Sequence, residues 1–161
     1  MKKSRLTDHC TCECFAKFDN QGKDIIRLYQ HWVLYLNFNQ GFVGRSLVIL
    51  KKHKKDITEI TDEENSELLL VIKKFKLALG KIVSLYNLNI VISNTESHIH
   101  NNHLHIHLIP RYDKPVKIGN AIFPHDSEVD KRVFYNKLNR DIILGGIIRE
   151  NILSKLRKLL S

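Results

Sequence analysis

The stretch from His103 to Ile109 constrains the fold of this chain more than any other. It reads His-Leu-His-Ile-His-Leu-Ile, so that histidines alternate with large aliphatic residues. This alternation has the period of a β-strand, in which successive side chains point to opposite faces. We therefore expect a strand that sends Leu104, Ile106 and Leu108 into a core and three histidines to the other face. The strand should end at Pro110, which has no N–H to give to a ladder.

Three imidazoles on one face point to chemistry. Same-face side chains two residues apart lie roughly 6.5 to 7 Å from each other along a strand. Imidazole titrates near neutral pH and can act as a nucleophile, acid or base, while a protonated neighbour can stabilise charge on a phosphoryl group. A transition-metal site is the main competing interpretation. The third interpretation is that all three are structural core histidines, and each would then need a buried hydrogen-bond partner.

The stretch resembles the His-x-His-x-His-x-x signature, with x apolar, of the histidine triad (HIT) family of nucleotide hydrolases and transferases. All seven positions match, and the Pro-Arg-Tyr that ends at Tyr112 also resembles the family. The segment from Gly44 to His53 resembles a family strand of the form Gly-His-x-Leu-Val-Ile-Pro-Lys-x-His, with Arg45 in place of the first histidine and Leu50 in place of the proline. The resemblance covers residues 32–112.

The resemblance implies cleavage of a nucleoside phosphate derivative at the α-phosphorus, for example in a dinucleoside polyphosphate or a nucleoside phosphoramidate. His105 would attack and form a nucleotidyl-histidine, which water then hydrolyses. His107 would hydrogen-bond the phosphoryl oxygens or the leaving group. His103 would fix the tautomer of its neighbourhood, directly or through a backbone carbonyl.

The resemblance also implies substrate contacts. Asn37 stands where the family has an acidic residue that contacts the ribose, and Asn94 matches an asparagine that contacts phosphate. His100 lies near the position of a Gln-Ser pair that this chain lacks, and could donate to a phosphate oxygen instead. A plain surface-loop role is the alternative for His100 and its neighbour His98.

No metal is needed for this chemistry, although magnesium can accompany a polyphosphate substrate. A structural zinc is the other candidate, because some family members hold one through Cys-x-x-Cys and two later histidines. Here the cysteines fall in a Cys-x-Cys-x-Cys cluster, and His53 and His103 stand at the two histidine positions. The cluster comprises Cys10, Cys12 and Cys14, with His9 just before it. A loose N-terminal tail with free thiols is the alternative, which we place slightly ahead.

The predicted fold class is α+β in a single domain of residues 1–161, a length that can support its own core. An antiparallel sheet of about five strands should carry a packed helix over Asp62–Tyr86, which begins with the capping box of Thr61 and Glu64. Two strands are expected between Asp24 and Leu50, and another over Leu88–Ser93. Residues 1–20 form the cysteine-containing segment and residues 24–112 the catalytic core.

Residues 113–161 form a C-terminal extension outside the resemblance. We expect an irregular loop over Asp113–Asp126 and a short helix over Glu128–Asn136. An amphipathic helix should span Asp141–Leu160, weakened at the pair of glycines ending at Gly146. Its polar side is basic, and it should pack on the domain or across a dimer rather than on a membrane surface.

The formal net charge of +9 favours polyanionic partners. A small nucleotide is the expected partner, nucleic acid a secondary one, and the resemblance implies a homodimer. The absence of an apolar signal region or a membrane-length apolar run predicts a cytoplasmic protein.

Two other functions stay open. The basic composition and basic C-terminal helix favour a hydrolase of adenylylated nucleic-acid ends, as in the aprataxin branch, but no C-terminal Cys/His zinc finger is evident. The changes at Asn37 and before the triad favour a nucleotide-binding regulatory protein with weak catalysis.

Overall fold

The computed structural model describes residues 22–83, 87–93, 103–112, 114–119, 121–123 and 146–161. These residues form a five-stranded sheet, a two-stranded hairpin and two α-helices. The elements are β1 (Ile25–Leu28), β2 (Trp32–Leu36), β3 (Ser46–Leu50), α1 (Asp62–Gly80), β4 (Asn87–Ser93), β5 (His105–Arg111), β6 (Val116–Ile118), β7 (Ala121–Phe123) and α2 (Gly146–Leu160), with a 3₁₀ turn over Ile57–Glu59.

The sheet has the strand order β1-β2-β3-β5-β4, and every neighbouring pair is antiparallel. The predicted α+β class, with about five strands, a packed helix and a C-terminal helix, is confirmed. The segment before β3 provides two strands, β1 and β2, where the sequence predicted one. The histidine strand β5 lies inside the sheet, between β3 and β4, so both of its edges are held by backbone hydrogen bonds.

The core lies between one face of the sheet and α1. Leu104, Ile106 and Leu108 are fully buried, as the alternation predicts. The helix faces them with a stripe at helical spacing, made of Leu68, Val71, Phe75, Ala78 and Leu79. Burial of this stripe is what makes an amphipathic helix of this length stable in a protein.

Helix α1 begins where the capping box predicts. The Thr61 side chain accepts a hydrogen bond from the Glu64 backbone N–H (3.3 Å), and the Glu64 carboxylate accepts one from the Thr61 backbone N–H (2.8 Å). The predicted end at Tyr86 is wrong, because the helix ends at Gly80 and Lys81 closes it with N–H bonds to the carbonyls of Ala78 and Leu79. Residues 84–86 lie outside the described part of the chain.

The predicted end of β5 at Pro110 is also wrong, since the strand continues to Arg111. Pro110 is paired with Leu88 of β4, but β3 begins at Ser46, opposite Leu108. Pro110 therefore lies beyond the residues that pair with β3. Because no β3 carbonyl stands opposite it, the N–H that proline lacks is not needed there.

The C-terminal extension differs from its prediction. The expected irregular loop contains the hairpin β6–β7, and residues 124–145, including the predicted Glu128–Asn136 helix, lie outside the described residues. Helix α2 packs against α1 and β1 through Ile152, Leu153, Leu156 and Leu160. Ile147 is 88% exposed because it lies on the opposite side of the helix from this stripe.

Within the described residues, neither helix is both long and apolar enough to cross a membrane.

The connection between β2 and β3 is fixed against α1 at Gly44. This residue has a φ of +81°, a conformation that residues with a Cβ rarely adopt. A Cβ built here would lie 2.5 Å from Cδ1 of Leu79, so any side chain would push the connection away from the helix. The buried Tyr112 holds the same connection, since its hydroxyl oxygen accepts a hydrogen bond from the Val43 N–H at 3.2 Å.

Candidate active site

The histidine face of the sheet carries the candidate site. His105 is paired with Ile49 of β3 and His107 with Leu47, so these four side chains share one face. The rings of His105 and His107 have centroids 5.0 Å apart, at an interplanar angle of 69°. His103 lies just before β5 begins.

The tautomer of His105 is set by the backbone. Its Nδ1 lies 2.9 Å from the carbonyl oxygen of His103, and because a carbonyl only accepts, Nδ1 must donate. The ring lone pair is therefore on Nε2. The contact is made by the His103 backbone carbonyl and not by its imidazole. His105 is only 4% exposed, so its ring is held in place by its surroundings.

The imidazole of His103 faces away from the other two histidines. Its Nε2 donates to the Leu50 carbonyl at 2.5 Å, and its Nδ1 lies 3.3 Å from Nδ1 of His53. Burial lowers the pKa of His103, an effect that the hydrogen bond to Leu50 opposes and the nearby His53 and His105 strengthen. The neutral form of His103 is thus favoured, with its lone pair on Nδ1.

His53 and His103 have the geometry of two metal ligands. Zinc bound tetrahedrally at about 2.0–2.1 Å separates two ligand nitrogens by about 3.4 Å, close to the 3.3 Å between these two Nδ1 atoms. The Nε2–H of His103 on a carbonyl is also a usual orientation for a ligating imidazole. Among the described residues, no group of three or more metal-ligating side chains converges. Cys10, Cys12 and Cys14, like His9, lie outside those residues.

A second apolar cluster, separate from the main core, covers the histidine face beside the triad. Val33, Leu47 and Ile49 are buried there, and Ile25 and Tyr35 pack against them half-exposed. The pairing continues each histidine row across the sheet: His105 to Ile49 to Val33, and His107 to Leu47 to Tyr35. Tyr35 was not predicted to be a site residue, although its alternation with buried aliphatic residues in β2 is a signal that indicates which face it lies on.

Asn37 lies one row beyond Tyr35 on the same face. It follows the end of β2, and its N–H donates to the Arg45 carbonyl at 2.9 Å, which extends the β2–β3 pairing by one step. Its side-chain Oδ1 accepts from the Asn39 N–H at 2.9 Å, forming an Asx turn. The Nδ2 amide supplies the donors that Asn37 can offer to a ligand, and Oδ1 retains a second lone pair.

Gln40 holds this turn together and was missed in the sequence. It is fully buried, and its Nε2 donates to the carbonyls of Asn37 (2.7 Å) and Arg45 (2.8 Å). Its Oε1 accepts from the Gly44 N–H at 2.9 Å. A glutamine in a turn-forming stretch carries no sequence signal of such burial, so only the structure reveals it.

The structure places His103, His105 and His107 in one stretch of the chain at β5, and Asn37 two strands away at the end of β2, one row beyond the row of His107. Asn94 and His100, the predicted phosphate contacts, lie outside the described residues, and their roles stay predictions.

The histidine triad class of protein is defined by this fold and site. It has an antiparallel sheet with a packed helix, and alternating histidines on one strand of that sheet. The family model described as the HIT domain matches residues 21–114, more than half of the chain. The chain belongs to the HIT family.

Two curated relatives and one solved structure illustrate the relationship. An uncharacterised HIT-like protein of Methanocaldococcus jannaschii is 33% identical over 97 residues, which are 56% of this chain and 72% of the relative. The adenosine 5′-monophosphoramidase hnt1 of Schizosaccharomyces pombe is 31% identical over 77 residues, 47% of this chain and 55% of the relative. A crystal structure of a zinc-bound histidine triad family protein from Mycobacterium smegmatis has a TM-score of 0.58 at 21% identity and covers 93% of both chains. At that identity the likeness concerns the fold alone.

Proposed function

We propose that this HIT protein is a nucleotide hydrolase or nucleotidyl transferase that cleaves nucleoside phosphate derivatives at the α-phosphate through a nucleotidyl-histidine on His105. The observation that carries the proposal is the 2.9 Å hydrogen bond from His105 Nδ1 to the His103 carbonyl, which keeps the nucleophilic lone pair on Nε2. The similarity to a phosphoramidase makes a nucleoside phosphoramidate the first substrate to test, with a dinucleoside polyphosphate next.

The chemistry takes two displacements at phosphorus. Nε2 of His105 attacks the α-phosphorus as the bond to the leaving group breaks, and the leaving group departs with a proton. His107, with its ring centroid 5.0 Å from that of His105, is the side chain placed to hydrogen-bond the phosphoryl oxygens or leaving group. Water then attacks the phosphorus, the phosphorus–nitrogen bond breaks, and the nucleoside monophosphate leaves with His105 restored.

The nucleoside would lie along the row that runs from the triad towards β2. Tyr35, half-exposed at the edge of the apolar cluster, offers a ring for the base. Asn37 offers Nδ2 to a sugar hydroxyl, where a carboxylate would accept two hydroxyl hydrogens. Asn94 would position the α-phosphate, and His100 would donate to a phosphate oxygen.

The chemistry requires no metal; magnesium would enter only with a polyphosphate substrate. For a structural zinc, His53 and His103 would hold the ion through Nδ1, and two thiolates from the Cys10–Cys14 cluster would complete it. Zinc content per chain distinguishes this site from a free-thiol tail. About one zinc per chain, lost in His53→Ala but kept in His31→Ala, supports the site, whereas zinc-free protein purified without chelator refutes it.

Homodimer formation is part of the proposal. β4 is the last strand of the sheet, and its Ile90 and Ile92 are 49% and 45% exposed although they lie on the same face as the buried Ile106 and Leu108. A seven-residue edge strand with exposed isoleucines invites pairing unless something covers it. A second copy pairing along β4 would cover both the edge and these side chains.

Hydrolysis of adenylylated nucleic-acid ends is the second candidate, and the net charge of +9 favours it. Such an enzyme would bind DNA with a steep salt dependence, whereas a small-nucleotide hydrolase would not. A regulatory nucleotide-binding protein is the other alternative. It would bind AMP but hydrolyse neither a nucleoside phosphoramidate nor adenylylated DNA.

The experiment that tests the proposal is AMP release from adenosine 5′-phosphoramidate and from adenylylated DNA, measured side by side. We expect the phosphoramidate to be the better substrate and His105→Ala to reduce its turnover by about 10³-fold or more. His31→Ala, a histidine substitution away from the triad, is the matched control and should keep wild-type turnover. Preference for the DNA substrate would shift the function to the second candidate, and no AMP from either would refute catalysis.

A further inference from the structure

One side chain of the C-terminal helix reaches the turn that carries Asn37. Arg149 of α2 is 15% exposed, and its Nε donates to Oδ1 of Asp24 at 2.7 Å in an ion pair. Its Nη1 donates to the Asn37 carbonyl at 3.1 Å and its Nη2 to the Leu36 carbonyl at 3.0 Å. We call these four residues the Arg149 clamp.

Asp24 connects the clamp to the last two residues of β2. Its Oδ2 accepts a hydrogen bond from the Tyr35 hydroxyl at 3.2 Å, and its backbone carbonyl accepts one from the Leu36 N–H at 2.8 Å. Three consecutive residues, Tyr35 to Asn37, are thus held by one ion pair. Two of them, Tyr35 and Asn37, lie on the histidine face.

The clamp depends on the shape of the guanidinium. Three nitrogens of one planar group hold a carboxylate and two successive backbone carbonyls, in fixed relative directions. A lysine ammonium could keep the charge pair with Asp24 but not this three-way geometry. The pair is also largely shielded from solvent, so salt screens it less than a surface pair.

We propose that Arg149 is a positioning residue for the nucleoside subsite. It sets where the Asn37 amide and the Tyr35 ring lie on the histidine face, although its hydrogen bonds go to Asp24, Asn37 and Leu36 and not to the triad. Sugar recognition would then depend on a side chain from the C-terminal extension. The inference rests on the proposed function, because it takes the histidine face as the nucleotide site.

The same helix supplies a matched control in Arg157. Its Nε donates to the Ile25 carbonyl at 3.0 Å, and its Nη2 donates to the carbonyls of Lys23 (2.6 Å) and Ile25 (2.8 Å). It therefore also docks α2 on backbone carbonyls, but at the start of β1 and not at the Asn37 turn. We expect loss of Arg157 to weaken helix docking while leaving the hydrogen bonds from Arg149 to Asn37 and Leu36 in place.

The test compares binding of AMP and 2′-deoxy-AMP to the full chain by calorimetry, with Tm measured for each variant. We expect wild type to bind AMP more tightly than 2′-deoxy-AMP, and Arg149→Met to weaken AMP binding about tenfold, which corresponds to about 1.4 kcal/mol. The ratio of the two Kd values should fall towards one in Arg149→Met. Arg157→Met should lower Tm while keeping this ratio within about twofold of wild type, since helix docking alone does not set the sugar contact.

Arg149→Lys keeps the positive charge and serves if the methionine variant fails to fold. We expect it to lower the Kd ratio as well, because a single ammonium cannot hold both carbonyls. An unchanged ratio in the Arg149 variants, with Tm lowered as in Arg157→Met, would overturn the inference and leave the proposed function intact. Equal binding of both nucleotides by wild type would also overturn it, while binding of neither would refute the proposed function itself.

Discussion

At the scale of single residues, the three histidines of one alternating stretch have different surroundings. His103 is buried against the Leu50 carbonyl and His53, and only its backbone carbonyl faces His105. His105 has its tautomer fixed by that carbonyl, and His107 is the more exposed neighbour. The alternation predicted one shared face, but the direction of the His103 ring depends on its contacts with Leu50 and His53, about fifty positions away, which periodicity does not contain.

Asn37 lies in the proposed nucleoside subsite, at the position where the resemblance to the family implies an acidic residue. Its Oδ1 accepts from the Asn39 N–H, which leaves the Nδ2 donors and one Oδ1 lone pair for the sugar, but no charged acceptor. Asn37→Asp should keep that turn and add a charged acceptor for ribose hydroxyls, tightening AMP binding by about tenfold, in line with a hydrogen bond to a charged group.

Titration calorimetry with AMP checks this prediction, and Asn37→Ala, which loses both the turn and the donor, is the comparison. If neither Asn37→Asp nor Asn37→Ala changes the Kd for AMP, Asn37 does not contact the sugar.

At the scale of elements, Glu64 at the start of α1 belongs both to the capping box and to a buried ion pair with Lys54. Burial raises the pKa of Glu64, but hydrogen bonds from Lys54 and Thr61 outweigh it and hold the pKa below its usual value of 4.5. The Lys54 ammonium lies 2.5 Å from the carboxylate. The ionised form of Glu64 is therefore more favourable in the folded protein than in the unfolded chain, so ionisation of Glu64 stabilises the fold.

The lowered pKa of Glu64 makes the stability of the folded protein depend on pH, and stability is lost at low pH. Because the folded pKa is depressed, the contribution of Glu64 is complete above pH 4.5 and is lost as the pH falls from there through the folded pKa. In urea unfolding between pH 7 and pH 3.5, wild type should lose stability more steeply below pH 4.5 than Glu64→Gln does. Glu59→Gln, an exposed carboxyl in the nearby 3₁₀ turn, should retain the wild-type slope. Equal slopes for wild type and Glu64→Gln would contradict this account.

The elements that could be predicted from the sequence are those with a local signal. The alternation gave β5 and its core face, and the box of Thr61 and Glu64 gave the start of α1. The extent of β5 past Pro110 could not be predicted, because it depends on where β3 begins. The contact of Arg149 with Asn37 joins residues 112 positions apart, and a basic helix face looks the same in sequence whether its arginines face solvent or a backbone carbonyl.

At the scale of the whole molecule, β4 predicts self-association, because among the described residues no further strand pairs with its outer edge. If two copies pair along β4, placing charges there should separate them, because a buried unpaired carboxylate is costly. Ile90→Glu combined with Ile92→Glu should give a monomer by light scattering after size exclusion, where wild type gives a dimer. Ile122→Glu, which changes an exposed isoleucine of the β6–β7 hairpin, should remain dimeric. A wild-type monomer, or a double variant that stays dimeric, would show that β4 is not the interface.

The central claim is that His105 forms a covalent nucleotidyl intermediate, and intact mass tests it most directly. Protein is mixed briefly with adenosine 5′-phosphoramidate or diadenosine tetraphosphate, quenched and weighed, with His105→Ala treated in parallel. We expect wild type to gain one adenylyl group transiently and to release AMP, and the variant to do neither. Release of AMP by both proteins with no adduct on either would contradict it.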